Sequence, residues 1–296
     1  MSIDGFLTQF VEWAEHRDDV HGVLLVGSRA RTETPADQWS DIDLVLVVEN
    51  PDRYLRDEHW LEAFGRPILT LLEPTPIGGT VERRILFETG LDVDIAVFTL
   101  AAFERAVDHP DTAGVLARGN RVLLDRVRLA ETTARALSVA RPTQRLPDSQ
   151  VLREHGADFW YHALWTAKKL ARGELLMATR SVDGYLKERL IALLGWHARA
   201  RNPTVDIWHE ARFFEQWADP RALDSMRVAY ARYDKDDVAH ALVATADTFE
   251  LFERETTAAL GFDEPPRRQD VRILINATLD RHSSATRKGR HSQTDR

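Results

Sequence analysis

Asp41 and Asp43 stand two residues apart at the head of an apolar run, residues 44–48, and Gly27-Ser28 closes an earlier run, residues 23–26. Residues two apart on a strand point to the same face, so both carboxylates project together, with Ile42 on the other side. Glycine lets a phosphate approach the backbone closely, and the amides opening the next turn can receive its charge. Two parallel carboxylates beside such a cradle make a hard-cation site, suited to Mg²⁺ held against a nucleoside triphosphate. Ordinary turns supply Gly-Ser, and exposed strands supply Asp-x-Asp. The combination carries the weight: two apolar strands, with thirteen residues from Ser28 to Asp41.

A site of this kind needs a third acid from a neighbouring strand. In Leu91-Asp92-Val93-Asp94-Ile95-Ala96-Val97 the odd positions are apolar, and Asp92 and Asp94 share the opposite face. Alternation alone allows either residue.

The elements that must position these acids follow from the hydrophobic pattern. Phe6, Leu7, Phe10, Val11 and Ala14 form a helical stripe ahead of the first strand. Residues 53–64, 100–106 and 127–139 read as helices, 67–72 and 121–124 as further strands. Residues 81–87 and 91–98 read as a hairpin turning at Glu88-Thr89-Gly90. Pro142 and Pro147 mark a boundary. The expected organisation is an α/β (α+β) domain with a mixed sheet, residues 1–145, then an all-α helical bundle, residues 151–262. Residues 263–296, rich in Ser, Thr, Arg and His, read as a disordered basic tail with at most a short element at 271–279.

In the helical domain, Asp158, Tyr161, His162, Trp165, Lys168, Lys169 and Arg172 fall on one face of a single helix, opposite Phe159, Trp160, Ala163, Ala167 and Leu170. The cationic end could hold a triphosphate, and the end carrying Asp158, His162 and Trp165 a cationic, sugar-like substrate. Glu174, Asp183 and Glu188 read as solvated helix residues and Trp196-His197 as core. No histidine spacing suggests zinc.

Net charge is −8, yet residues 281–296 carry +4, leaving −12 on the body. An acidic body argues against a nucleic-acid partner and suits a polycationic small molecule. The chain has no cysteine, which excludes disulfide and thiol chemistry. Lacking an apolar run of membrane length or a basic-then-apolar leader, it is expected to be cytoplasmic, without a membrane partner and monomeric.

Gly27-Ser28-Arg29, Asp37 with Asp41-x-Asp43, Asp57-Glu58-His59-Trp60-Leu61, Leu86-Phe87-Glu88, Val93-Asp94-Ile95, Lys168 with Leu170-Ala171-Arg172, and Trp196-His197 occur in order. With them the chain resembles the aminoglycoside 6-adenylyltransferases, the streptomycin-modifying enzymes of antibiotic resistance within the DNA polymerase beta-like nucleotidyltransferase superfamily. The resemblance implies a nucleotidyltransferase domain followed by a helical domain, with the active site between them. It implies Mg²⁺, and AMP transfer from ATP to an aminoglycoside hydroxyl. By position it assigns Gly27, Ser28, Arg29 and Lys168 to the nucleotide and Asp41 and Asp43 to metal. Asp94 would be metal ligand or base, and Asp158 would meet the drug. Ala117-Arg118-Gly119 departs from the family's usual Asp-Lys-Asp, and Arg180 stands where an acid is usual. Competing readings are a nucleotidyltransferase acting on protein or RNA, and an inactive binding module.

Overall fold

A computed structural model describes residues 2–31, 34–75, 79–138, 146–263 and 268–291, and the chain divides into two compact units, Met1–Gln144 and Arg145–Arg296. The first unit begins with α1 (Ile3–Glu15), whose N-terminus is capped by Ser2 Oγ accepting the Gly5 amide. β1 (Val20–Val26), a 3₁₀ turn Gly27–Arg29, β2 (Ile42–Val48) and α2 (Pro51–Arg56) follow. A second 3₁₀ turn, His59–Phe64, leads to β3 (Pro67–Pro74), β4 (Val81–Phe87) and β5 (Asp92–Phe98). α3 (Leu100–Val107), α4 (Pro110–Arg118), β6 (Arg121–Asp125) and α5 (Leu129–Ser138) complete the unit.

The strands form one sheet in the order β3-β4-β5-β2-β1-β6. β2 and β5 run parallel and the other neighbours antiparallel, so the sheet is mixed, as the pattern predicts. Alternation divides each strand between two cores. On one face Phe6, Phe10 and Phe64 pack over Val23, Leu25, Leu44 and Ile95. On the other, Phe103, Leu129 and Ala136 cover Leu24, Val45 and Val47. α4, absent from the sequence reading, contributes only Ala113 and Leu116 to that second core.

Residues 53–64 do not form the single helix their periodicity suggests. Arg83, 2% exposed on β4, donates to the carbonyls of Tyr54 and Leu55, to Thr70 Oγ1 and to Glu58. Those two carbonyls would otherwise accept the next helical turn's amides, and Asp57 instead caps the amide of His59. The helix therefore stops at Arg56.

The second unit comprises α6 (Ser149–Ala171), α7 (Leu175–Arg180), a π-helical turn Ser181–Tyr185, α8 (Leu186–Arg201), α9 (Phe214–Trp217), α10 (Pro220–Ala229), α11 (Lys235–Ala259) and α12 (Arg268–His291). It is all-α among the described residues. Phe159, Leu190, Leu194, Phe249 and Phe252 lie at its centre.

α12 occupies most of the stretch expected to be disordered. Three side chains explain it. Ile275 is 1% exposed in the core. Arg272 pairs with Asp247 and Glu250 on α11. Arg268 reaches the buried Glu253 at 2.9 Å, whose other oxygen accepts from Trp160 Nε1 at 3.1 Å. Burial pushes the Glu253 carboxyl up, and Arg268 opposes that shift. Gly156 leaves the room: a Cβ there would lie 1.8 Å from Glu253 Oε1 and 2.5 Å from Arg268 Nη2.

Arg268→Ala should therefore strand a buried charge and lower the unfolding free energy by about 3 kcal/mol, measured by urea denaturation followed by circular dichroism. Arg272→Ala, whose partners are an exposed Asp247 and a half-buried Glu250, should cost less than about 1 kcal/mol. Equal losses would contradict this account of α12.

Candidate active site

β1 and β2 pair so that Val26 lies opposite Asp43, which brings Gly27, the next residue, against that carboxylate. β2 and β5 pair in parallel with Asp43 level with Asp94. Three carboxylates result: one oxygen each from Asp41, Asp43 and Asp94 lie within 4.8 Å of one another, all on partly buried residues. Asp92, which alternation could not separate from Asp94, is exposed and outside this cluster.

The Gly27–Arg29 turn is shaped around the cluster. Gly27 has φ +68°, and a Cβ there would stand 1.9 Å from Asp43 Oδ2, so no other residue fits without moving the carboxylate. Ser28 is 8% exposed, and its Oγ is buried with no hydrogen-bond partner among the described residues. A buried hydroxyl normally finds a partner; one left over beside three carboxylates suits a phosphate oxygen.

Arg29 does not point its charge outward for phosphate. Its Nε donates to the Asp41 carbonyl at 2.8 Å, and its Nη2 donates to the carbonyls of Ser40 and, at 3.2 Å, Asp37. Asp37 in turn accepts from the Trp39 amide at 2.9 Å and the Ser40 hydroxyl at 3.0 Å, and these bonds hold its carboxyl below the usual range. The segment entering Asp41 is thus tied down from both ends. Gly119, which ends α4, closes against the turn's exit. A Cβ on it would lie 2.6 Å from the Ala30 backbone.

Asp94 is perturbed by its surroundings. Burial raises its carboxyl to about 6, helped by Glu82, Asp41 and Asp92 and opposed by Arg84. Arg84 Nε is 3.6 Å from Asp94 Oδ2, and the same guanidinium pairs with Glu73 at 3.0 Å and Glu82 at 2.8 Å. Three convergent oxygens of hard donors, a backbone cradle without Cβ and an unpartnered hydroxyl fit a divalent cation with a phosphorylated ligand.

In the second unit, the predicted apolar face of α6 is buried: Phe159, Trp160, Ala163, Ala167 and Leu170 all lie in the core. On the polar face Asp158 is already engaged. It accepts from the Tyr185 hydroxyl at 2.7 and 2.9 Å, and pairs with Arg189 at 2.9 Å and His162 Nδ1 at 3.1 Å. Arg189 matches its charge, so a cationic ligand would have to compete for it. Of the cations, Lys169 and Arg172 converge on Glu174 at 2.7 and 2.9 Å, and Lys169 also lies 5.1 Å from the Trp165 ring centre. Lys168 is exposed on the same face.

A sequence profile of the streptomycin adenylyltransferases matches residues 2–275. The chain belongs to the streptomycin adenylyltransferase family. It is accordingly a nucleotidyltransferase. It is 23% identical over 268 residues to an aminoglycoside 6-adenylyltransferase of Bacillus subtilis (strain 168), covering 86% of this chain and 90% of that one. An enzyme of the same name from Campylobacter jejuni is 26% identical over 180 residues, 59% of each chain. Another, from Staphylococcus aureus, is 23% identical over 192 residues, 63% of this chain and 66% of that one.

Reading this streptomycin adenylyltransferase-family chain from sequence misses Arg84 and Glu82. Alternation along β4 puts both on one face with Leu86, but only the pairing of Arg84 with Asp94 shows that this is the acids' face. Tyr185 and Arg189, the partners of Asp158, are distant in sequence and carry no local signal.

Gly27→Ala should keep the fold and spoil the site. The added methyl strains the left-handed backbone by about 1–2 kcal/mol and displaces Asp43. Circular dichroism should be unchanged, while Mn²⁺ binding measured by calorimetry should weaken at least about tenfold, or about 1.4 kcal/mol. Undiminished Mn²⁺ affinity would show that the close packing of Gly27 on Asp43 is immaterial.

Proposed function

We propose that the chain transfers AMP from ATP to a hydroxyl of a cationic aminoglycoside of the streptomycin type, releasing pyrophosphate. The observation that carries this reading is the convergence of Asp41, Asp43 and Asp94 beside the Gly27-Ser28 turn. Membership of the adenylyltransferase family and the names of the relatives support the nucleotide and the acceptor class.

Asp41 and Asp43 would hold Mg²⁺ with Asp94. Bound there, the cation supplies Lewis-acid neutralisation of the charge that develops on pyrophosphate. The Ser28 hydroxyl and the turn's amides donate to the triphosphate oxygens and fix the direction of attack. Arg29 acts indirectly, holding Asp41 in place through its carbonyl bonds. In the alternative role Asp94 would not ligate the cation but receive the proton of the acceptor hydroxyl on a carboxylate oxygen. In the second unit, Lys168 is assigned to phosphate charge, and Asp158, His162 and Trp165 to the cationic acceptor. The acidic body draws such an acceptor in.

The test is pyrophosphate release from ATP and Mg²⁺ with and without streptomycin. Release should depend on the drug, and Asp43→Asn should lower it by at least about 100-fold, the equivalent of roughly 3 kcal/mol of transition-state stabilisation. Near-normal turnover by that variant would refute the assignment of the acids. Release indifferent to streptomycin and to other aminoglycosides would refute the acceptor class.

A further inference from the structure

The consecutive arginines of β4 are divided between the two faces of the sheet. Arg83 is consumed in the core beneath α2. Arg84 lies on the opposite face, directly across the ladder from Asp94, so strand register keeps it beside the acids. Its guanidinium is bounded by Glu73, Glu82 and Asp94 at 3.0, 2.8 and 3.6 Å.

We propose that Arg84 is a resident counter-cation of the carboxylate cluster, one that makes divalent-cation binding depend on nucleotide. The proposal rests on the reading that Asp41, Asp43 and Asp94 hold such a cation. Without nucleotide, an arriving Mg²⁺ meets a positive charge already seated on one of its three ligands. Arg84 cannot leave freely, because moving away gives up its pairing with Glu82, whose side chain is only 12% exposed. A triphosphate changes the balance: its oxygens compensate the metal and offer the guanidinium a planar, doubly hydrogen-bonding partner. Cation and nucleotide then raise each other's affinity, and thermodynamic linkage makes the effect reciprocal. Arg84 is a positioning residue in this account, acting on the metal's ligand.

Calorimetric titration of the full-length protein with Mn²⁺, with and without the unreactive α,β-methylene analogue of ATP, tests it. Wild-type protein should bind Mn²⁺ weakly alone and much more tightly with the analogue. Arg84→Gln should tighten binding of Mn²⁺ alone by about tenfold, or about 1.4 kcal/mol, and shrink the gain from the analogue. Arg84→Lys, which keeps the charge but not the two-pronged donor geometry, should stay near wild type in binding Mn²⁺ alone. If Arg84→Gln binds Mn²⁺ alone no more tightly than wild type, or if Arg84→Lys behaves like Arg84→Gln in that titration, the proposal is overturned. Asp43→Asn should lose Mn²⁺ in both conditions. If it does not, or if wild-type protein binds no Mn²⁺ even with the analogue, the metal-site reading itself fails, whatever Arg84 does.

Discussion

Three carboxylates gathered within 4.8 Å repel one another, and the rest of the first unit is arranged so that they cannot separate. At an effective dielectric constant near 20, each pair of full charges at that distance costs about 3 kcal/mol before solvent screening. Ordinary side chains would relieve this by swinging apart. Here two acids stand at the head of β2 and one on β5, neighbouring central strands in a register that sets Asp43 level with Asp94. Asp43 is further confined by Gly27, whose missing Cβ is the space its oxygen fills. The tension is relieved by positive charge, partly by Arg84 and, in the reading given above, by a bound divalent cation.

The two faces of the sheet serve different ends. One is sealed by α1 and a cluster of aromatic rings, with Phe10 and Phe64 stacked at 5.1 Å. The buried Arg83 there converts a would-be helix into a break that seats α2 on the sheet. The other face is apolar over Val45 and Val47, beneath α3 and α5, and becomes acidic where β2 and β5 begin. The loop into Asp41 is held by polar bonds from Arg29 and Asp37 to its backbone. In the second unit the same economy appears on α6, one side of which is core while the other is a closed polar knot around Asp158.

Much of this was legible in the sequence because it is local. Period-two alternation and the Gly-Ser turn announced the strands and two of the acids, and the stripe on α6 correctly separated its buried from its polar residues. What depended on register was not legible. Asp92 and Asp94 share a face, so alternation cannot choose between them, and Arg84 gains meaning only once β4 is laid against β5. Elements built from few apolar residues were also lost: α4 contributes two buried side chains, and α12 hides one isoleucine and two ion-pairing arginines in a stretch of polar composition. The helix expected over residues 53–64 failed for a related reason, since the competitor for its carbonyls lies on a strand some 30 residues away.

The central claim is that Asp41, Asp43 and Asp94 jointly ligate one or more divalent cations beside the Gly27-Ser28 turn. Anomalous scattering from a crystal grown with Mn²⁺ and a nucleotide tests it most directly. The account predicts a peak within coordination distance of all three carboxylates, with phosphate oxygens completing the shell. A strong peak elsewhere, or nucleotide bound with Asp94 turned away from Asp41 and Asp43, would contradict it.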